Sequence, residues 1–108
     1  MLNIDMEYKK GILFARLKGI VNDDNILKRE DHLSKVVKET GIRFLLINLN
    51  DIICPNKYIE DVINRNYKYI NNNKGKLIIC NSKNDYEKTN DDIYEIKEEE
   101  EVFNLVKL

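Results

Sequence analysis

A chain of 108 residues, 43% apolar and 34% charged, has the length of one domain and the balance of a folded one, which argues against disorder and against several domains. Its formal net charge of −1 excludes a general electrostatic pull toward nucleic acid or anionic membrane. No apolar run approaches the ~20 residues that cross a bilayer.

The start, Met1-Leu2-Asn3-Ile4-Asp5, has neither the basic region nor the long apolar stretch of a secretory signal, so a cytoplasmic location is expected. From Leu2 to Met6 apolar and polar residues alternate, the pattern of a half-buried strand. Lys9-Lys10-Gly11 then predicts a tight turn, and Ile12 to Lys18 a second strand, so the two should form an antiparallel hairpin. Gly19-Ile20-Val21-Asn22 leads into Asp23-Asp24, where Asn22 or Asp23 suits a helix N-cap and acids suit the first turn. The helix is expected to run to about Thr40, burying Ile26, Leu33, Val36 and Val37, with Gly41 as its stop.

Leu45, Leu46, Ile47 and Leu49 form the longest nearly unbroken apolar run, which predicts a strand buried on both faces and central in its sheet. Pro55 ends that strand and should hold Cys54 in an extended conformation. Asn56 is the expected cap of a second helix, striped by Ile59, Val62, Ile63, Tyr67 and Ile70. Asn71 to Gly75 ends it, and Leu77 to Cys80 is the partner strand of a β-α-β crossover. Ser82 to Asp92 reads as a polar loop or one frayed turn, and Ile93 to Ile96 as a short edge strand. Glu98 to Leu108 closes as a helix facing Val102, Phe103 and Val106 inward, with Glu98 to Glu101 forming a solvated, dipole-favoured first turn. Residues 83–101 hold nine acids against three lysines, a net −6, which leaves about +5 spread thinly over the remainder. The two cysteines, Cys54 and Cys80, are expected reduced and buried rather than bridged.

The order β-β-α-β-α-β-loop-β-α predicts a single α/β domain over residues 1–108. A mixed, mainly parallel sheet of about five strands should carry an N-terminal antiparallel hairpin and helices packed against it. Leu2-Asn3-Ile4-Asp5-Met6, Gly11 to Gly19, Leu46-Ile47-Asn48-Leu49-Asn50-Asp51-Ile52 and Gly75 to Asn81 stand in an order and spacing that together resemble the STAS domain, the fold of bacterial anti-sigma-factor antagonists. The resemblance covers about residues 2–81 well and the tail loosely. It implies a non-enzymatic module that regulates transcription by binding a protein, an ATP-binding anti-sigma kinase. In that family an Asp-Ser-Ser-Gly motif opens the helix after the central strand, and phosphorylation of its second serine breaks the complex. Matched without gaps, this chain has Asn56-Lys57-Tyr58-Ile59 there. The asparagine approaches the pattern, but Tyr58 stands in the serine's place, so the resemblance implies no phosphorylation switch. The carried-over contact residues are Asn56, Lys57 and Tyr58, with Asn22, Asp23 and Asp24 from the loop before the first helix.

Chemistry of other kinds has little to stand on. His32, the one histidine, sits among Lys28, Arg29, Glu30 and Asp31 and reads as solvated. One histidine and two distant cysteines make no closed zinc site, and no metal or cofactor is expected. Ser34 and Ser82 have no base beside them, and neither a phosphate-binding loop nor a G-x-S-x-G turn occurs. Asn50-Asp51 and Asp23-Asp24 only loosely imitate a receiver-domain phosphorylation site. The alternative to a sigma regulator is a self-associating scaffold, such as a homodimer, for which exposed Tyr58, Tyr67 and Tyr69 are the candidates.

Overall fold

The computed structural model describes residues 2–21, 23–83 and 86–106, and in the first helix the side chains from residue 30 onward. Strand β1 (Leu2–Lys9) pairs antiparallel with β2 (Ile12–Ile20), as their alternation predicts. The two-residue turn between them, Lys10 (φ 54°) and Gly11 (φ 80°), has both residues left-handed, the geometry that matches the twist of a two-residue hairpin. Helix α1 (Asp23–Thr40) follows, then β3 (Phe44–Ile53), α2 (Lys57–Asn72), β4 (Lys76–Cys80) and β5 (Tyr94–Ile96). The sheet order is β1-β2-β3-β4-β5, with every pairing after the first parallel. Strand β3 thus occupies the centre that its apolar run predicts. It alone buries Leu45, Leu46, Ile47, Leu49 and Ile52, each contributing about 1.5–3 kcal/mol.

The sheet separates two unequal cores. On one face α1 and α2 pack over Leu13, Ala15, Leu17, Leu45, Ile47, Leu77 and Ile79, adding Leu33, Val37, Ile59, Val62, Ile63 and Ile70. On the other, the C-terminal segment covers Ile12, Phe14, Leu46, Ile78 and Cys80 with Ile96, Val102 and Val106. The sequence predicts alternation along β2, and instead the strand buries Ile12 to Ala15 without a break. The reason is tertiary: this second cover gives both of its faces a partner.

A β-bulge sets the parity of the upper half of β3. Arg16 lies beside Asn48 but Lys18 lies beside Asp51, so β3 carries one extra residue there. The Asn48 side chain braces the bulge by accepting the backbone N–H of Asn50 (2.8 Å). Leu45, Ile47 and Leu49 face the helices, and after the bulge it is Ile52 that does so. Without the extra residue the alternation would turn Asp51 into that core and Ile52 away from it.

Helix ends are secured by specific groups. Asn73 Nδ2 donates to Val37 O (3.0 Å) and Ile42 O (2.8 Å), tying the end of α2 to the end of α1 and its exit. Lys74 takes the left-handed stop (φ 60°). Gly75 is required by space, because a Cβ there would lie 2.0 Å from the Arg43 carbonyl oxygen, which accepts the Lys76 N–H (2.7 Å).

Three expectations are corrected. Cys54 is neither extended nor buried: it is exposed at φ 54°, because the chain must reverse between the end of β3 and α2. The tail forms a 3₁₀ turn (Glu99–Glu101) and a single-turn α3 (Val102–Leu105) rather than one continuous helix. Nor is its acidic start merely solvated, since Glu99 is drawn onto the sheet by Arg16 and Asn48. Cys80 is buried as expected, and both cysteines are unbridged. Residues 82–83 and 86–92 form turns and irregular chain, as their polarity predicts.

Candidate functional site

The C-terminal ends of β2 and β3 and the start of α2 meet at one rim of the sheet. The approach to α2 is strained, since a non-glycine residue held left-handed, as Cys54 is, costs roughly 1–2 kcal/mol. Pro55 follows, and Asn56 (φ −142°) caps the helix as its short polar side chain predicts. Its Oδ1 accepts the Tyr58 N–H (2.9 Å), and its carbonyl oxygen accepts Ile59 N–H (3.0 Å) and Glu60 N–H (3.3 Å). The same side chain donates from Nδ2 to Val21 O (3.2 Å). One asparagine therefore both starts α2 and holds the segment entering α1 against it.

Lys57 and Asn56 are exposed, and Tyr58 is half-buried with its ring packed on the main core. Lys57 Nζ lies 5.2 Å from the centre of the Tyr58 ring, within cation–π range. A lysine in the first turn adds positive charge where the helix dipole is already positive. Glu60 partly offsets it and accepts a hydrogen bond from Thr89 (2.7 Å), fastening the long loop to this helix. Of the other predicted contact residues, Asn22 lies outside the described residues. Asp23 and Asp24 begin α1 rather than forming a loop, and their side chains also lie outside the description. The Val21 contact brings the entry to α1 and the start of α2 together.

The tyrosines expected to drive self-association do not form an exposed surface. Tyr58, Tyr67 and Tyr69 are each half-buried. Tyr67 donates its hydroxyl to Asp92 (3.2 Å) at the mouth of a polar cleft of about 300 Å³ shared with Asn71, Lys76 and Tyr94. Lys38 Nζ sits 5.7 Å from the centre of the Tyr69 ring.

Two polar clusters escaped the reading of the sequence. Between α1 and α2, Glu30, Ser34 and Asn66 are buried. Ser34 donates its hydroxyl to Glu30 Oε1, which also accepts from Asn66 Nδ2 (2.7 Å), and Arg65 Nε donates to Ser34 Oγ (3.0 Å). Arg65 Nη2 meets Glu30 Oε2 as a charge contact rather than an aligned hydrogen bond. Burial pushes the Glu30 carboxyl above its ordinary range, against the downward pull of Ser34, Asn66 and Arg65. A signal was present: Glu30 falls on the stripe of Ile26, Leu33 and Val37, and Asn66 on that of Ile59, Val62, Ile63 and Ile70. A polar residue on an apolar stripe announces a buried partner.

On the opposite face, Arg16 grips Glu99 through Nε and Nη2 (both 2.8 Å) and reaches Glu7 through Nη1 (2.9 Å). Asn48 Nδ2 donates to Glu99 Oε2 (2.6 Å). Glu99 is held below the ordinary carboxylate range, first by the Arg16 hydrogen bonds. Beneath this clamp Cys80 donates to Lys97 O (3.3 Å), and burial raises its thiol to about 11.

Ser34 and Glu30, a hydroxyl beside a carboxylate, are sealed between two helices and structural in geometry. Cys80 is likewise closed off, and His32 is exposed. Among the described residues no three His, Cys, Asp or Glu side chains converge to hold a metal, and no helix is long and apolar enough to cross a membrane.

No protein-family model matches the sequence. Solved structures do. The unphosphorylated form of the anti-sigma factor antagonist SpoIIAA superposes with a TM-score of 0.75 at 10% identity, covering 97% of this chain and 96% of that one. A Thermotoga maritima protein assigned as an anti-sigma factor antagonist superposes at 0.65 with 14% identity over 94% of this chain and 76% of its own. A part of Mglu, 18% of its length, superposes on 69% of this chain with a TM-score of 0.57 at 17% identity. The chain has the STAS-like α/β fold of the antagonists, as the sequence resemblance implies.

Proposed function

We propose that this chain is a non-enzymatic, cytoplasmic regulatory module that binds a protein partner in the manner of an anti-sigma-factor antagonist, without the serine switch. The observation that carries the reading is the likeness to SpoIIAA over nearly all of both chains, joined to an α2 start at which Lys57 and Tyr58 replace the family's serines. The contact surface is Asn56, Lys57 and Tyr58 together with Asn22, Asp23 and Asp24. The partner is an ATP-binding anti-sigma protein, and the downstream process is transcription.

The physics of the site favours constant binding over switching. A serine at the start of a helix is a good place to add a phosphate, because backbone N–H groups and the dipole favour negative charge. Tyr58 presents no equivalent acceptor, since its ring lies on the core beneath the Lys57 ammonium. Lys57 at the start of α2 and Asp23 and Asp24 at the start of α1 give the surface both signs of charge, which suits a partner patch of the complementary pattern.

Affinity capture from the native cell, with bound proteins identified by mass spectrometry, is expected to recover an ATP-binding anti-sigma protein. Lys57→Glu should weaken that complex by roughly tenfold or more. Incubating the pair with ATP should leave this chain unmodified. Phosphate on Ser34, Ser82 or Tyr58 would contradict the lost switch, and capture unchanged by Lys57→Glu would displace the site.

A further inference from the structure

On the face of the sheet opposite α1 and α2, the C-terminal segment crosses only part of the β2–β3 ladder. It is pinned at the Arg16–Asn48 rung by Glu99. Two more rungs lie beyond, Lys18 beside Asp51 and Ile20 beside Ile53. Strand alternation places all four side chains on the face of Arg16. Strand β4 has already ended, with Cys80 beside Asn48, so the sheet has narrowed to three strands here, with Asn3 of β1 beside Lys18.

Ile20 and Ile53 are 49% and 53% exposed. Two β-branched residues left open side by side, where the apolar Phe14–Leu46 rung of the same face is buried, form a small apolar patch rather than scattered exposure. Lys18 and Asp51 are both exposed and have no ion-pair partner among the described residues.

We propose that this patch is a two-fold homodimer contact, in which Ile20 and Ile53 of two copies stack and Lys18 of each meets Asp51 of the other. The inference uses other residues than the partner-binding reading, although Ile20 and Ile53 end their strands at the same rim. The occupant follows from charge. A two-fold contact joins a patch to itself, so it needs each charge balanced by its opposite within the same patch. A lysine and an aspartate on one rung, beside an apolar rung, meet that requirement. A purely acidic or purely basic partner would leave one of them facing its like.

The contact area is small, so a weak and reversible dimer is expected, visible by sedimentation equilibrium as the concentration rises toward ~1 mM. Ile53→Glu should leave the chain monomeric with its melting temperature unchanged. Lys18→Glu and Asp51→Lys should each weaken self-association by roughly tenfold or more, because each sets like charges against one another twice. Mixing the two variants should restore a one-to-one heterodimer, since both contacts between position 18 of one copy and position 51 of the other then join opposite charges. A wild-type chain that stays monomeric overturns the proposal and leaves the patch to a different occupant. So does a dimer undisturbed in either charge variant, or variants that fail to pair when mixed.

Discussion

Asn56 shows how much one side chain can organise. Its carboxamide oxygen satisfies an N–H that the first turn of α2 leaves open, and its nitrogen satisfies the Val21 carbonyl on another segment. Replacing an N-cap asparagine by alanine typically costs about 1 kcal/mol, with about 2 as the upper end. Asn56→Ala should lie near that upper end, because the Val21 link is lost with the cap. Urea unfolding should show a lower midpoint at unchanged slope, with Asn56→Asp recovering the cap but not the link. Neighbouring Cys54 carries the opposite lesson. The residue before a proline is ordinarily extended, and here the need to reverse the chain within a few residues overrides that preference.

Between elements, the pairing of α1 with α2 depends on the Glu30 cluster. The Ser34 hydroxyl, one Asn66 N–H and the Arg65 charge converge on one carboxyl, and removing it takes the acceptor from the first two and the nearest countercharge from the third. Glu30→Ala should cost about 2–4 kcal/mol, below the full value for a buried pair because Arg65 is one-third exposed. Burial raises the folded pKa of Glu30 above that of the unfolded chain. Its contribution to stability is therefore complete below the ordinary carboxylate range and declines as pH rises through the raised value. Chemical denaturation across that range should show the decline in the wild type and lose it in Glu30→Gln. An unchanged pH slope in the variant would show that Glu30 is not its source.

At the scale of the molecule, one sheet is covered twice, by two long helices on one face and a short tail on the other. The tail contributes few apolar groups, so its seat depends heavily on the Glu99 clamp. Glu99 is depressed in the fold, so the clamp stabilises above the ordinary carboxylate range and weakens as pH falls through the lowered value. Cys80 lies beneath it and reports its opening, while exposed Cys54 provides an internal standard. With a thiol reagent Cys54 should react at once and Cys80 slowly. Glu99→Gln should speed the Cys80 reaction about tenfold while changing overall stability by only ~1 kcal/mol, because the pair is partly solvated. Equal Cys80 rates in the two proteins would show that the clamp does not hold the tail.

The strands, the two long helices, the hairpin turn and the Asn56 cap were determined by local pattern, because periodicity and turn chemistry act between neighbours in the chain. The resemblance to the antagonist fold was legible for the same reason, as a co-linear set of such local signals. Pairings of residues far apart in sequence were decided only by the folded chain. Arg16 and Glu99 are 83 positions apart, and Glu30 and Asn66 are 36 apart. Nothing local distinguishes a charge that will be gripped from one left in water. The uncovered Ile20–Ile53 rung belongs to the same class, since where the tail stops across the sheet depends on a bulge and a clamp that meet only in three dimensions.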